Sequence, residues 1–536
     1  MSPRLQRLLT LVLIAYFILF GGTVYTENNP TLRVAHQVLT AALFFGWLLD
    51  LWRRGRGFPQ TPLDWPLLVY ALVRVVAAAF ALDPRVSLES LWQTLTHLLA
   101  FYLLVDLLRR GRQRWVVEGL FLTAGVVVAL SAAELAAWYT GYPLLPGFVQ
   151  GWPQIGGLTL PPTTYRLALA LNVSTWVGNF AAVLIPLTAA WAMTAKTRDL
   201  RRALWLLSGA LALVLVLSQS RGALMGLAAA LGVWLLVTLL RPDVRDRFPT
   251  RLRPLLDRRL LLGAAAVAGV LALLIVFWSS VSAARSGDVN RLDLWQSAVE
   301  MARDHPLVGV GPRQYASALR QYGAPELSRS QDHLLTAHNL PLHLLAETGL
   351  AGLLTLLWAG AALAWLLWRT WQRTYRGHRR RLEGALAALV AFGVHSLVDT
   401  FPQTPQWVPV LILMAYIVAG DVTRTQAVLA PPTVPVRQRR PVPAVLAVLL
   451  LAQSALVPVH AAELAHARAL RALGAGEYQI ALVETRAAHA ADPWLDFYPI
   501  HEAYILGLLA ADAPDDYLAA AISAHEAALE LNPSWD

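Results

Sequence analysis

The sequence predicts an all-α membrane protein: a polytopic bundle of about thirteen spanning helices, followed by a small domain of helical repeats. Three observations carry that prediction. Of 536 residues, 57% are hydrophobic and only 15% charged, with a mean hydropathy of +0.49, whereas soluble domains carry roughly 25% charged residues. The apolar residues gather into runs of about 20, the length that crosses the hydrocarbon core as a helix. The arginines sit in every second connection between those runs.

Taken in order, the runs place spans near 7–23, 33–52, 64–82, 88–108, 115–138, 167–193, 203–218, 222–240, 259–281, 340–368, 383–400, 407–423 and 441–459. Each must satisfy its backbone internally, because lipid offers no hydrogen-bond partner. The first follows Arg4 and Arg7, as a signal peptide would. No small-residue cleavage site comes after it, so an uncleaved first helix is expected. Between 203–218 and 222–240 only Ser218-Gln219-Ser220-Arg221 interrupts the apolar stretch, which reads as a tight turn at the membrane surface.

Charge then gives orientation. Arg53, Arg54 and Arg56 follow span two, Arg109 to Arg114 follow span four, and Lys196 to Arg202 follow span six. Further basic connections hold Arg241 to Arg259, Arg369 to Arg381 and Arg437 to Arg440. Positively charged connections stay inside. The N-terminus is therefore expected in the cytoplasm, in an inner-membrane protein. The loops 139–166 and 282–339, and everything after span thirteen, are expected outside. The net charge of +10 thus reports topology rather than a nucleic-acid-binding face. With no cysteine, disulfides, thiolate metal sites and cysteine nucleophiles are excluded.

The last 76 residues, 461–536, read as helical hairpins: Ala469–Leu473, a Gly474-Ala475-Gly476 turn and Glu477–Ala490, then Tyr517–Leu531. Asp492-Pro493 and Asn532-Pro533 close the second helices, as in tetratricopeptide repeats. The two prolines are 40 positions apart rather than about 34, which implies an insertion near Ala511–Asp516. Pro533-Ser534-Trp535-Asp536 stands where a further repeat would begin, as in a truncated array.

The informative residues lie in and beside 282–339. Arg291, Leu294, Trp295, Ala298, Val299 and Ala302 fit one face of a short amphipathic helix. A turn punctuated by Gly309 and Gly311 follows, by itself weak evidence of phosphate binding. His338 and Asn339 precede span ten, with Glu347 further in and Asp399 at the end of span eleven. His333, His338 and His343, five apart, spread around a helix and make a zinc site unlikely to assemble. Arg74, in mid-span three, either lines a cavity or pairs with a carboxylate.

Three stretches carry a family resemblance. AHNLPLHLLAETGLAGLL (337–354) resembles the signature of the O-antigen ligase and polymerase superfamily, a His-Asn pair followed by Glu-x-Gly-x-x-Gly. RLDLWQSAVEMARDHPLVGVGPRQY (291–315) resembles the segment before it, and SQSRGALMGL (218–227) resembles the family's Ser-Arg-Gly motif. The likeness runs over roughly 160–420. It departs before the proline of span six, where Ser174-Thr175-Trp176 stands and Asn172 and Asn179 are displaced, so no role passes to either asparagine.

The resemblance implies a GT-C-like fold and the transfer of a glycan from an undecaprenyl-diphosphate carrier to an acceptor hydroxyl, outside the membrane. It divides the chain into N-terminal helices (1–165), a ligase-like core (166–424), a basic linker with the last span (425–460) and the repeats (461–536). His338 becomes the candidate base or acceptor-orienting group. Arg221, Arg291 and Arg166 become candidate diphosphate ligands, because the guanidinium fork grips phosphate oxygens in pairs. Read alone, Arg221 also fits an arginine snorkelling to the interface.

Glu347 is expected to brace an arginine or a helix neighbour, and Asp399 to hold an arginine. No Asp-x-Asp stands in an outer loop, so neither metal nor cofactor is expected. The expected partners are the lipid-linked glycan, membrane lipids, a lipid or protein acceptor and a protein docked on the repeats. Ligation, repeat-unit polymerisation and O-linked protein glycosylation share these motifs. A lipid-linked glycan transporter, and a plain anchor for the repeats, are the readings from other classes.

Overall fold

The computed structural model describes residues 2–22, 29–140, 154–155, 158–159, 174–241, 291–323, 336–401, 404–426 and 441–531. The chain is an all-α polytopic membrane bundle. Its first eight helices are α1 (Pro3–Leu19), α2 (Pro30–Arg53), α3 (Asp64–Ala79), α4 (Pro84–Leu107), α5 (Gln113–Thr140), α6 (Ser174–Thr194), α7 (Arg198–Leu217) and α8 (Arg221–Leu239). Then come α9 (Arg291–Asp304), α10 (Tyr315–Tyr322), α11 (Leu340–Gln372), α12 (Arg376–His395) and α13 (Thr404–Gln426). The last four are α14 (Pro441–Gly474), α15 (Tyr478–Ala491), α16 (Phe497–Ala510) and α17 (Pro514–Leu531). A two-residue antiparallel pair joins Gln154–Ile155 to Leu158–Thr159.

Each expected span within the described residues coincides with a helix; 259–281 lies outside them, as does Arg166. Seven helical stretches among the described residues are long and apolar enough to cross a membrane, α4 and α5 counting as one. They run together through the π-turn Leu108–Arg112, where Gly111 takes φ 76°. The remaining helices miss for stated reasons. α1 and α3 have 17 and 16 residues, α12 opens on a basic run, and the apolar part of α13 is Thr404–Gly420.

Local chemistry fixes the helix starts. Asn29 and Asp83 cap α2 and α4 with a proline directly after, Thr197 caps α7, and Ser220 caps α8. Each side-chain oxygen accepts a backbone N–H that the helix itself cannot pair, and proline has none to leave unpaired. Packing follows the lipid environment. One continuous core joins the helices, from Phe17 and Phe44 through Phe180 to Ile417, while Leu206, Leu213, Leu235, Leu357 and Leu451 point outward. The arginine-rich ends gather at one end of the bundle, where Arg110 pairs with Asp50 and Asp106, and Arg241 with Glu383.

The C-terminal region departs from its expected layout in two ways. The last span does not stop at Pro458: α14 continues through that proline to Gly474, so the division at 460 falls inside one helix. An interior proline loses one backbone bond. Here Val459, Ala462 and Ala465 are buried beyond it, and His460 Nε2 meets Gln37 Oε1 of α2 at 2.7 Å. The following Ala-, Leu- and Arg-rich sequence also favours helix strongly. Second, Ala511–Ala513 is a short turn rather than an insertion, with Asp515 and Asp516 already in the first turn of α17. The intervening length is α16, which the sequence reading leaves unassigned. The end of α14 packs on α15, α15 on α16 and α16 on α17.

A candidate active site at one end of the bundle

The end opposite the arginine-rich one is built by inserting a turn into a broken helix. α11 is interrupted at Gly349, whose φ of 62° an L side chain rarely adopts. Into the break fits the turn that follows α9. Val310 N–H donates to Ala346 O at 2.9 Å, Gly311 N–H to Glu347 O at 3.1 Å, and Leu350 N–H to Pro306 O at 2.8 Å. A Cβ on Gly309 would lie 2.3 Å from the Glu347 carbonyl carbon, and one on Gly349 2.4 Å from that of Leu307. The glycines permit backbone to meet backbone. The N–H groups of Val310 and Gly311 are thereby used up, so this turn is a brace rather than a phosphate cradle.

Glu347 is buried within that brace. Its Oε1 lies 3.6 Å from His343 Nε2 and accepts from Tyr315 N–H at 3.4 Å. Of the two expectations for it, a helix neighbour is what it meets. Below α9 a small core forms from Leu294, Ala298, Met301, Tyr315 and Leu319. The apolar face expected on α9 is there, turned to bury Met301 and leave Val299 at its margin. Trp295 Nε1–H donates to Ala337 O at 3.1 Å, which ties α9 to the residue before His338.

His338 itself has φ 46°, in the left-handed region. A non-glycine residue is held there only when its surroundings over-determine it, and here they do. Asn339 caps α11 by accepting from Leu342 N–H at 3.0 Å, and its Nδ2 donates to Leu397 O at 2.9 Å. Leu340 N–H reaches Ser396 O at 2.8 Å. The start of α11 is thus pinned to the turn after α12.

That turn presents Asp399. His338 Nδ1 lies 3.0 Å from Asp399 Oδ1, which also accepts from Thr400 N–H at 2.9 Å. Among the described residues Asp399 meets His338, not the arginine expected for it. The aspartate is buried while the imidazole is about a third exposed. With Nδ1–H engaged, the lone pair falls on the open Nε2, the arrangement a proton acceptor needs.

A second histidine stands behind the aspartate. His395, only 1% exposed, points Nε2 at Asp399 Oδ2 across 3.8 Å, and Asn179 Nδ2 donates to its Nδ1 at 3.0 Å. The run from Asn179 through His395 and Asp399 to His338 links α6, α12 and α11. The sequence reading passed over both Asn179 and His395 as participants. The signal available was Asn179 among the apolar residues of span six, since a buried amide must find a partner.

Arg221 begins α8, two positions after Gln219, which has φ 50°. Its neighbour Gly222 packs on His395, with a Cβ there only 2.5 Å from His395 Cδ2. Gly178 of α6 makes the same close approach to Ser218 and Ser220. Arg291 begins α9, and its charge acts on His395. The structure thus brings His338, Asp399, His395 and Asn179 together, while Arg221 and Arg291 stand at the first residues of α8 and α9, the former exposed. Positive charge at helix starts near a histidine–aspartate pair suits a reaction that releases an anion as a proton is taken up.

Residues 203–357 match the family model described as O-antigen ligase. That segment contains Arg221, Arg291, His338 and Glu347. No curated protein matches the chain.

Proposed function

We propose, from the membership of the O-antigen ligase superfamily that residues 203–357 give this chain, that it transfers a glycan from an undecaprenyl-diphosphate carrier to an acceptor hydroxyl. The observation that carries this reading is the His338–Asp399 pair, 3.0 Å apart, with His338 on a left-handed backbone. The acceptor oxygen attacks the anomeric carbon and the bond from that carbon to the diphosphate oxygen breaks. The hydroxyl proton passes to His338 Nε2, and the carrier leaves as a diphosphate. A sugar hydroxyl is too weak an acid for imidazole to ionise outright, so proton transfer accompanies bond formation. Asp399 steadies the imidazolium that forms, and the two arginines receive the departing charge without a metal.

Charge alternation supports an orientation with the arginine-rich end in the cytoplasm and the site end outside. A phosphatase fused after Asp536 should be active only if exported; an inactive fusion would reverse this orientation. The helical domain docked at the site end favours a second reading within the superfamily, O-linked transfer to protein, because it offers a surface for a protein acceptor.

Purified protein supplied with lipid-linked glycan and membrane extract tests the chemistry. His338→Ala should lower transfer by about 10²–10⁴-fold, the usual contribution of a general base, while donor binding stays intact. Asp399→Asn should cost less, since it misorients the ring without removing it. Near-normal transfer by His338→Ala would refute the base assignment. Mass spectrometry of membranes with and without the gene identifies which glycan product disappears.

A further inference from the structure

Among the described residues two arginines are buried, Arg74 and Arg85. Arg85 is matched by Asp492 and Glu89. Arg74, 8% exposed, is matched by no carboxylate among those residues. Its Nη2 donates to Ser90 Oγ of α4 at 2.8 Å, and its buried Nε has no hydrogen-bond partner. An arginine inside a membrane bundle is costly even where relaxation is allowed, so one left without a counter-charge points to a place where an anion arrives.

Its position is specific. At 1.5 Å per residue Arg74 lies about 7 Å below the end of α3, Ser90 about 9 Å below the start of α4, and His343 about 5 Å below the start of α11. The three share one level, just beneath the site end. α3 packs directly on α11, and the Arg74 charge acts on both His343 and His97. His343 Nδ1 is itself buried without a hydrogen-bond partner. His343 lies in the first turn of α11, five positions after His338, so Arg74 faces the candidate site from α3, whereas Arg221 and Arg291 begin α8 and α9.

We infer that Arg74, backed by Ser90 and His343, binds an anionic group, a phosphate in the first instance, carried by the acceptor on the side of His338 away from the donor diphosphate. This rests on the transferase reading: a transfer brings two molecules to one base, and each side of His338 then has its own guanidinium. The free edge of Arg74 gives the bidentate geometry that phosphate oxygens take.

The test uses the purified full-length chain in neutral detergent, its thermal unfolding followed with inorganic phosphate and with dodecyl phosphate. Wild type should be stabilised by several degrees. Arg74→Met, of similar length and without charge, should unfold at or above the wild-type temperature and lose the response, whereas Arg221→Ala should keep it. Stabilisation by inorganic phosphate identifies a free phosphate group as sufficient; stabilisation by dodecyl phosphate alone identifies a lipid-borne one.

An equal response in Arg74→Met, or none in wild type, overturns the site. Loss of the response in Arg221→Ala as well would put both arginines on one anion and overturn the two-sided arrangement. Should Arg74→Met not fold, Arg74→Lys keeps the charge and loses the fork. At least a fivefold weaker response then supports the inference, and an undiminished one overturns it. None of these melts depends on transfer, so failure of the transferase reading shows separately, as unchanged transfer by His338→Ala.

Discussion

Arg85, in the first turn of α4, and Asp492, just after α15, are 407 positions apart and share a buried ion pair, with Nε donating to Oδ2 at 2.7 Å. The pair does not stand alone. Glu89 lies 3.5 Å from both Arg85 and Arg33 and 2.8 Å from Arg313, and Arg33 reaches Glu463 of α14 at 3.1 Å. The C-terminal helices, the membrane bundle and the turn that braces α11 are thus fastened at one charged junction.

Cutting that junction should release the C-terminal domain. Asp492→Asn leaves buried Arg85 with Glu89 alone, 3.5 Å away; removing one partner of a buried pair typically costs about 3–5 kcal/mol, and Glu89 reduces that here. Hydrogen exchange in α15 to α17 should accelerate while the spanning helices stay protected. Unchanged exchange would show that apolar contacts, not this pair, dock the domain.

The two candidate diphosphate-binding arginines should separate by chemistry rather than charge. Arg221→Ala and Arg291→Ala should each weaken binding of undecaprenyl diphosphate, and lysine at either position should rescue only in part, because it lacks the paired donors. Full activity in Arg221→Lys would reduce that residue to a surface charge. Transfer should also survive EDTA; a loss restored by magnesium would establish a metal requirement.

The break in α11 should not tolerate a side chain. Gly349→Ala forces φ 62° on an L residue and sets a methyl 2.4 Å from the Leu307 carbonyl carbon. Backbone strain alone accounts for about 1–3 kcal/mol, and the collision adds to it. Lower thermal stability and lower transfer should appear together, since the displaced turn carries Glu347 and the start of α11 with it. Normal transfer in this variant would show that the turn is not what holds His338.

Much of this was legible in the sequence. The spans follow from apolar runs, and the separation of the two ends follows from where the arginines fall. His338, Arg221 and Arg291 stood out because their neighbours resemble a family motif. What motif reading could not supply was partnership. Asp399 meets His338 across 61 positions and Asn179 meets His395 across 216, and nothing local in either segment encodes such contacts. Gly309 read as a turn residue and Gly349 as a motif position inside a span, although each is a glycine because the other's segment passes against it. α16 escaped for a different reason: Phe497–Ala510 is apolar on nearly all sides, so it shows no helical stripe, and Pro499 near its start reads as a breaker.

The uninterrupted run of α14 sets a height and an angle. Thirty-four residues at 1.5 Å each make a rod of about 51 Å, against a hydrocarbon core of about 30 Å, so roughly 20 Å stands clear of the lipid. On such a shaft each added or deleted residue turns everything beyond it by about 100°. A single-residue deletion between Val459 and Gly474 would therefore swing Asp492 away from Arg85, not merely lower it. Length along this stretch is geared to rotation, and the domain can face the site in one register only.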